Sequence, residues 1–266
     1  MKAFTLYICY LLFLVSIVGC ASGKEFTSNF KKDEILVDGN QADWQNKLVA
    51  DEDESIALGF TNNEQNLYLC LTTKNRMRMM QILRDGFTVW IKSPTNSKKT
   101  IGIKYPIAAN NSEPGSHQTL QRSPMTNENP DKLLKEAALK QTEILIVNKD
   151  LFPLTALPII NKEGLEIKLG FHNDEFVYEM KIALKNFCNG EYCADANAGD
   201  QIEITLQTEK NEMNRGDKRG MGQGGGMGGQ RGGNRKPPEG GMRNFKPLDQ
   251  LNYDIKLNLA SDKISK

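Results

Sequence analysis

The sequence predicts a mainly β protein: an antiparallel, jelly-roll-like β-sandwich with one or two short helices and a long Gly-rich disordered loop. Three stretches carry this. Over residues 86–106, Phe87, Val89 and Ile91 alternate with Thr88, Trp90 and Lys92; after a polar turn, Ile101, Ile103 and Tyr105 alternate with Gly102 and Lys104. Over 165–184, Leu165, Ile167, Leu169 and Phe171 lead to a turn at His172, and Phe176, Tyr178, Met180, Ile182 and Leu184 return. Ile202, Ile204 and Leu206, then Leu251, Tyr253, Ile255, Leu257 and Leu259, repeat the period of two. Such alternation marks strands with one buried and one wetted face.

From the N-terminus, Lys2 precedes an apolar run over 6–18 that is short for a bilayer span and ends in small residues, as a secretory signal does. Its end, Ile17-Val18-Gly19-Cys20, resembles the bacterial lipobox. The resemblance implies removal of residues 1–19, lipidation of Cys20, and export to the cell envelope, on the periplasmic or surface face of the outer membrane. What remains is 247 residues with 33 basic and 33 acidic side chains, a balance that gives no net field to gather nucleic acid. Residues 20–33, polar with scattered lysines, are expected to form a tether, 34–260 a single sandwich domain, and 261–266 a tail.

Within the domain, Asp38-Gly39 supplies a turn before Asp43-Trp44. The acidic run 51–54 lacks the ligand spacing of a calcium loop and reads as a solvated turn, so no metal is predicted. Ile56, Leu58 and Phe60 alternate, and 67–71 returns apolar on both faces, as a central strand does. Met77, Met80 and Leu83 at helical spacing predict a core-filling helix over 75–84. Asn129 caps a second helix opened by Pro130, with Leu133, Leu134, Ala137 and Ala138 on its apolar side. A helix on so long a connection is expected to cover a sheet face or a barrel end, a cover that could bury Trp90. Cys188 and Cys193 are spaced for a disulfide across a tight loop, against the alternative of two free thiols, and Cys70 reads as a buried thiol. The insertion 211–246, rich in Gly and Met, carries Arg215, Lys218, Arg219, Arg231, Arg235, Lys236 and Arg243. It reads as a disordered surface loop in preference to an RNA-binding arm, because an exported lipoprotein rarely meets RNA.

Three segments together resemble a known family. They are Ile35-Leu36-Val37-Asp38-Gly39 with Asp43-Trp44; residues 56–60 with Asn66-Leu67-Tyr68-Leu69; and 176–184, whose Tyr178-Glu179 matches the family's "YE..IPL" strand. Their order and spacing are similar to family 9 carbohydrate-binding modules and the wider DOMON-like sandwiches. The resemblance implies a sandwich that binds sugar or, in some relatives, haem. Ala183 stands where that strand usually has proline, and no tryptophan pair is placed to clamp a sugar, since Trp44 belongs to the turn motif.

The leading functional expectation is a lipid-anchored protein that binds polysaccharide or oligosaccharide without catalysis. Trp90 on an otherwise polar face is its candidate stacking ring, and Thr88, Lys92 and Lys104 are candidate partners for hydroxyls. The structural alternative for Trp90 is simple packing over Gly102. The functional alternative is an accessory envelope lipoprotein that acts through protein contacts. Haem is a further reading, for which His117 and His172 are the available histidines, both in expected loops; no cofactor is predicted. The chain has no nucleophile elbow, HExxH or zinc-cysteine pattern, so an enzyme is not predicted.

Overall fold

A computed structural model describes residues 23–95, 100–108, 129–147, 154–172, 174–185, 192–209 and 248–262. Cys20, Cys188, His117 and the insertion 211–246 lie outside them.

Two sheets face each other. The seven-stranded sheet has the order β1 (Lys24–Thr27), β13 (Asn252–Asn258), β12 (Gln201–Thr208), β6 (Phe87–Lys92), β7 (Thr100–Lys104), β8 (Glu143–Val147), β9 (Thr155–Pro158). The six-stranded sheet has the order β10 (Glu166–His172), β11 (Glu175–Ala183), β5 (Asn66–Thr73), β4 (Ile56–Asn62), β2 (Asn29–Phe30), with β3 (Val49–Asp51) also paired to β4. The expected sandwich is the one observed. All pairings are antiparallel except two at the sheet edges, β1 with β13 and β2 with β4.

The alternating apolar sets meet between the sheets. Leu58, Leu67, Leu69, Leu71, Phe87, Val89, Ile103, Phe176, Tyr178, Ile204 and Leu257 belong to one continuous buried cluster. Burial on this scale contributes about 1.5–3 kcal/mol for each large apolar side chain. A second, smaller cluster lies on the outer side of the six-stranded sheet, where Ile35, Trp44, Tyr68, Cys70 and Val177 pack under the segment 34–48. That cover explains why β5 is buried along its whole length, as its two-faced apolar pattern predicts. It also pushes the Cys70 thiol pKa up by burial, so this cysteine stays protonated.

Several expectations are corrected. Residues 24–30 are not a tether: β1 and β2 are consecutive edge strands that pass from one sheet to the other. At the crossing Ser28 N donates to Asn258 O at 3.0 Å, the Ser28 hydroxyl bonds Asn62 Oδ1, and Asn62 Nδ2 donates to Ala260 O at 2.8 Å. The polar composition that suggests a linker suits an edge strand equally well. The run 51–54 is not merely solvated. Asp51 is buried and accepts from Lys24 Nζ and from Tyr253 Oη at 2.7 Å, while Glu54 pairs with the buried Arg78 at 2.7 Å. The first helix, α1 (Arg76–Asp85), buries Met79, Ile82 and Leu83 and exposes Met77, so its apolar face is rotated from the one expected. The second, α2 (Pro130–Leu139), is capped by Asn129 as expected. It packs beside α1, with Ala138 buried and Leu133 exposed.

Candidate functional site

Each of the chain's two tryptophans lies over a glycine on the outer side of a sheet, in different surroundings. A Cβ added to Gly59 would stand 2.8 Å from Trp44 Cε3, and one added to Gly102 would stand 2.5 Å from Trp90 Cζ3. Trp44 is 1% exposed, and its Nε1 donates to Glu179 Oε1 at 2.6 Å. Glu179 Oε2 accepts from the backbone N–H groups of Gly39, at 2.6 Å, and Asp38, at 3.0 Å. Burial raises the Glu179 carboxyl above its usual range, with those hydrogen bonds pulling the other way. The segments that carry the family resemblance thus meet in a structural lock that fixes 34–48 onto the six-stranded sheet. Gly39, at φ +79°, lets that segment turn against β10.

Trp90 is half-buried on the opposite sheet. The register places it opposite Gly102 on one side and Thr205 on the other, with Thr88 opposite Lys104 and Gln207. Thr88, Trp90, Lys92 and Lys104 therefore share a face, as the alternation predicts. The Trp90 indole N–H donates to Gln207 Oε1 at 3.1 Å, and Gln207 Nε2 reaches Asn252 Oδ1 at 3.4 Å. Thr205 Oγ1 donates to Asp254 Oδ1 at 2.6 Å, and Lys92 Nζ bonds Glu203 Oε2 at 2.8 Å. Lys104 is buried and pairs with Glu209. The face is a half-exposed indole set in a lattice of cross-strand pairs whose side chains hold one another in place. Chemically it offers an apolar ring beside closely spaced donors and acceptors. Residues of β12 and β13, namely Glu203, Thr205, Gln207, Asn252 and Asp254, belong to this face but carry no signal in sequence. Their alternation shows which way they point but not that β12 lies beside β6, more than a hundred residues earlier.

Thr88 and Lys104 are the buried members of the predicted set, at 5% and 7% exposed, so the accessible part of the face centres on Trp90, Lys92 and the β12 side chains. Cys193 is a buried free thiol; Cys188, with which its spacing allows either a disulfide or two free thiols, lies outside the described residues. His172 is exposed at the end of β10.

A polar cleft of about 440 Å³ opens at one end of the sandwich between α1 and α2, lined by Asn75, Arg76, Asn129, Asp131, Lys135 and Asp174 among others. Its charges are engaged locally. Arg76 forks onto Asp131, with Nη2 to Oδ1 at 2.8 Å, and Lys135 Nζ sits 5.1 Å from the centre of the Phe171 ring.

No protein-family model and no curated protein matches the chain. Among solved structures it is similar to a family 9 carbohydrate-binding module from Caldicellulosiruptor kristjanssonii in complex with cellotriose, at 11% identity and a TM-score of 0.37, covering 91% of this chain and 98% of the other. The same module in complex with glucose gives the same identity and TM-score, with 91% and 100% covered. A putative carbohydrate-binding protein from Bacteroides uniformis ATCC 8492 is 8% identical, with a TM-score of 0.37 and 89% and 100% covered. The strand order and register given above stand independently of these overlaps.

Proposed function

We propose that the protein is a lipid-anchored component of the bacterial cell envelope that binds carbohydrate without catalysis, through the outer face of the seven-stranded sheet around Trp90. The observation that carries this reading is the contrast between the two tryptophans. Trp44 is sealed and bonded to a buried carboxylate; Trp90, in the matching relation to a glycine, is left half-exposed among paired polar side chains. An indole supported from below by Gly102 can stack on the C–H face of a pyranose, while Lys92, Glu203, Thr205 and Gln207 exchange hydrogen bonds with its hydroxyls. The lattice is already formed, so little side-chain ordering is lost on binding. The short motifs that resemble family 9 modules add to the reading, and the lipobox-like Ile17-Val18-Gly19-Cys20 supplies the anchor.

The test is a glycan array probed with residues 21–266, including insoluble plant and microbial polysaccharides. Reproducible binding that soluble competitor removes is the expected result. A clean negative from a folded sample transfers the weight to an accessory lipoprotein acting through protein contacts.

A further inference from the structure

We infer that the Trp90 face selects a saccharide carrying a protonated primary amine, a hexosamine whose ring stacks on the indole while its ammonium pairs with Asp254. This rests on the carbohydrate reading above and names the sugar class that the same face takes.

The described lysines on the outer side of this sheet each have an acid close by. Lys92 bonds Glu203 at 2.8 Å, Lys104 pairs with Glu209, and Lys256 stands opposite Glu203 on β12 and Glu25 on β1. Asp254 is different. It is exposed, and its neighbours across the strands are Thr205 on β12 and, just before β1, Gly23, which has no side chain to offer. Among the described residues it forms no ion pair; Thr205 Oγ1 donates to its Oδ1 at 2.6 Å. The base two residues along β13, Lys256, leans over β1 and away from Trp90: a Cβ on Gly23 would stand 3.6 Å from Lys256 Cγ. One carboxylate on this face is therefore held in place with its charge unanswered, which favours a cationic ligand group.

Asp254 also lies in the row of Trp90. Asp254 is opposite Thr205, Thr205 opposite Trp90, Trp90 opposite Gly102, and Gly102 opposite Val147. The indole lies across β6, its N–H bonded to Gln207 on β12 and its six-membered ring over Gly102 on β7, so one ring face is turned outward. A pyranose stacked on that face sends its equatorial substituents along the row in both directions. Toward β8 they meet Gly102 and Val147, which offer no polar side chain. Toward β13 they meet Thr205 and then Asp254, drawn toward the ring by the Thr205 hydroxyl. Asp254 is two strand spacings, about 10 Å, from Trp90 along the row. The width of the indole, a sugar substituent and a charge-assisted hydrogen bond of about 2.8 Å together cover that distance. An ammonium so placed also lies near the edge of an electron-rich ring face, where a cation is welcome.

Three hexasaccharides with the same β-1,4 backbone isolate the charge: chitosan hexamer with a free amine at C2, chitohexaose with an acetamide there, and cellohexaose with a hydroxyl. Their affinities for residues 21–266 are measured by titration calorimetry in mildly acidic buffer, where the amine is charged, with hexa-lysine as a cation that has no sugar ring. The chitosan hexamer is expected to bind roughly three- to tenfold more tightly than either neutral hexamer, with a gap that salt narrows. In Asp254→Asn, whose amide oxygen can still accept from Thr205, the ratio of chitosan to cellohexaose affinity should fall to about one. Trp90→Ala should lose the chitosan hexamer altogether. The inference is overturned, and the carbohydrate reading survives, if a neutral hexamer binds as well as the amine, if the preference persists in Asp254→Asn, or if the glycan array yields only sugars without a free amine. Hexa-lysine binding as tightly as the chitosan hexamer also overturns it, because the face then attracts any polycation. If no hexamer binds and the array is negative with a folded sample, both readings fall.

Discussion

Glu179 accepts the indole N–H of Trp44 at 2.6 Å and, on its other oxygen, the backbone N–H groups of Asp38 and Gly39. One buried carboxylate thereby joins β11 to the segment that seals the outer side of the six-stranded sheet. Both oxygens face donors, so Glu179→Gln turns an amide against a donor in either orientation. The expected cost is about 2–4 kcal/mol, read as a lower urea midpoint with unchanged slope. An unshifted midpoint would remove the lock from the account.

Asp51 predicts an acid limb to the stability curve. Burial works against its charged form, but hydrogen bonds from Lys24, Tyr253 and the Glu54 backbone outweigh it and hold the carboxyl below its usual range. A depressed folded value means that the stabilisation is fully present above the unfolded pKa, near 4, and is lost as pH falls through the lower folded value. Melting temperatures of the wild type and Asp51→Asn should differ at pH 6 and converge in strong acid. Parallel curves down to acid would contradict this. Amide exchange along β1 should quicken in the variant, because Asp51 ties Lys24 to the body.

The glycines predict two unequal outcomes. A Cβ on Gly170 would stand 1.7 Å from the backbone oxygen of Gly39, which cannot swing aside. Gly170→Ala should cost more than the roughly 1–3 kcal/mol of ordinary overpacking, and melting should show it. On Gly102 the obstacle is the Trp90 ring. Gly102→Ala should leave the protein folded, displace the indole, shift its emission to the red and abolish glycan retention. Wild-type emission with wild-type retention would contradict the packing described.

Arg78 is 1% exposed, and it bonds Glu54 Oε2 and O, Gln81 Oε1 and the carbonyl of Asp249. Through it α1 holds both the turn before β4 and the chain entering β13. Arg78→Ala strands these acceptors and should cost about 3–5 kcal/mol by chemical denaturation; a loss below 1 kcal/mol would refute the clamp.

Much of the sandwich was legible because strands such as β10, β12 and β13 keep one face wet, so a period of two reveals both the strand and its buried side. β11 follows from the alternation of Phe176, Tyr178, Met180 and Ile182, although its outer face is covered as well. Where alternation stops, legibility stops with it. Residues 24–30 form edge strands with half-exposed side chains on both faces, so their composition resembles a linker's. The rotated face of α1 has another cause: Arg78 and Gln81 are buried by partners 24 and more than a hundred and sixty residues distant, which helical spacing does not register. The Trp90 face was readable within its hairpin. Its β12 half was not, because Gln207 and Thr205 reach Trp90 only through long-range pairing. The end cleft between α1 and α2 had no sequence signal at all.

The most direct test of the central claim compares the affinity of the wild type and Trp90→Ala, both shown to be folded by circular dichroism, for the strongest glycan on the array. A loss of about tenfold or more, near 1.4 kcal/mol, is predicted with no change in thermal stability beyond the lost ring contacts. Equal affinity in a folded variant would contradict the account and move any sugar site away from this face.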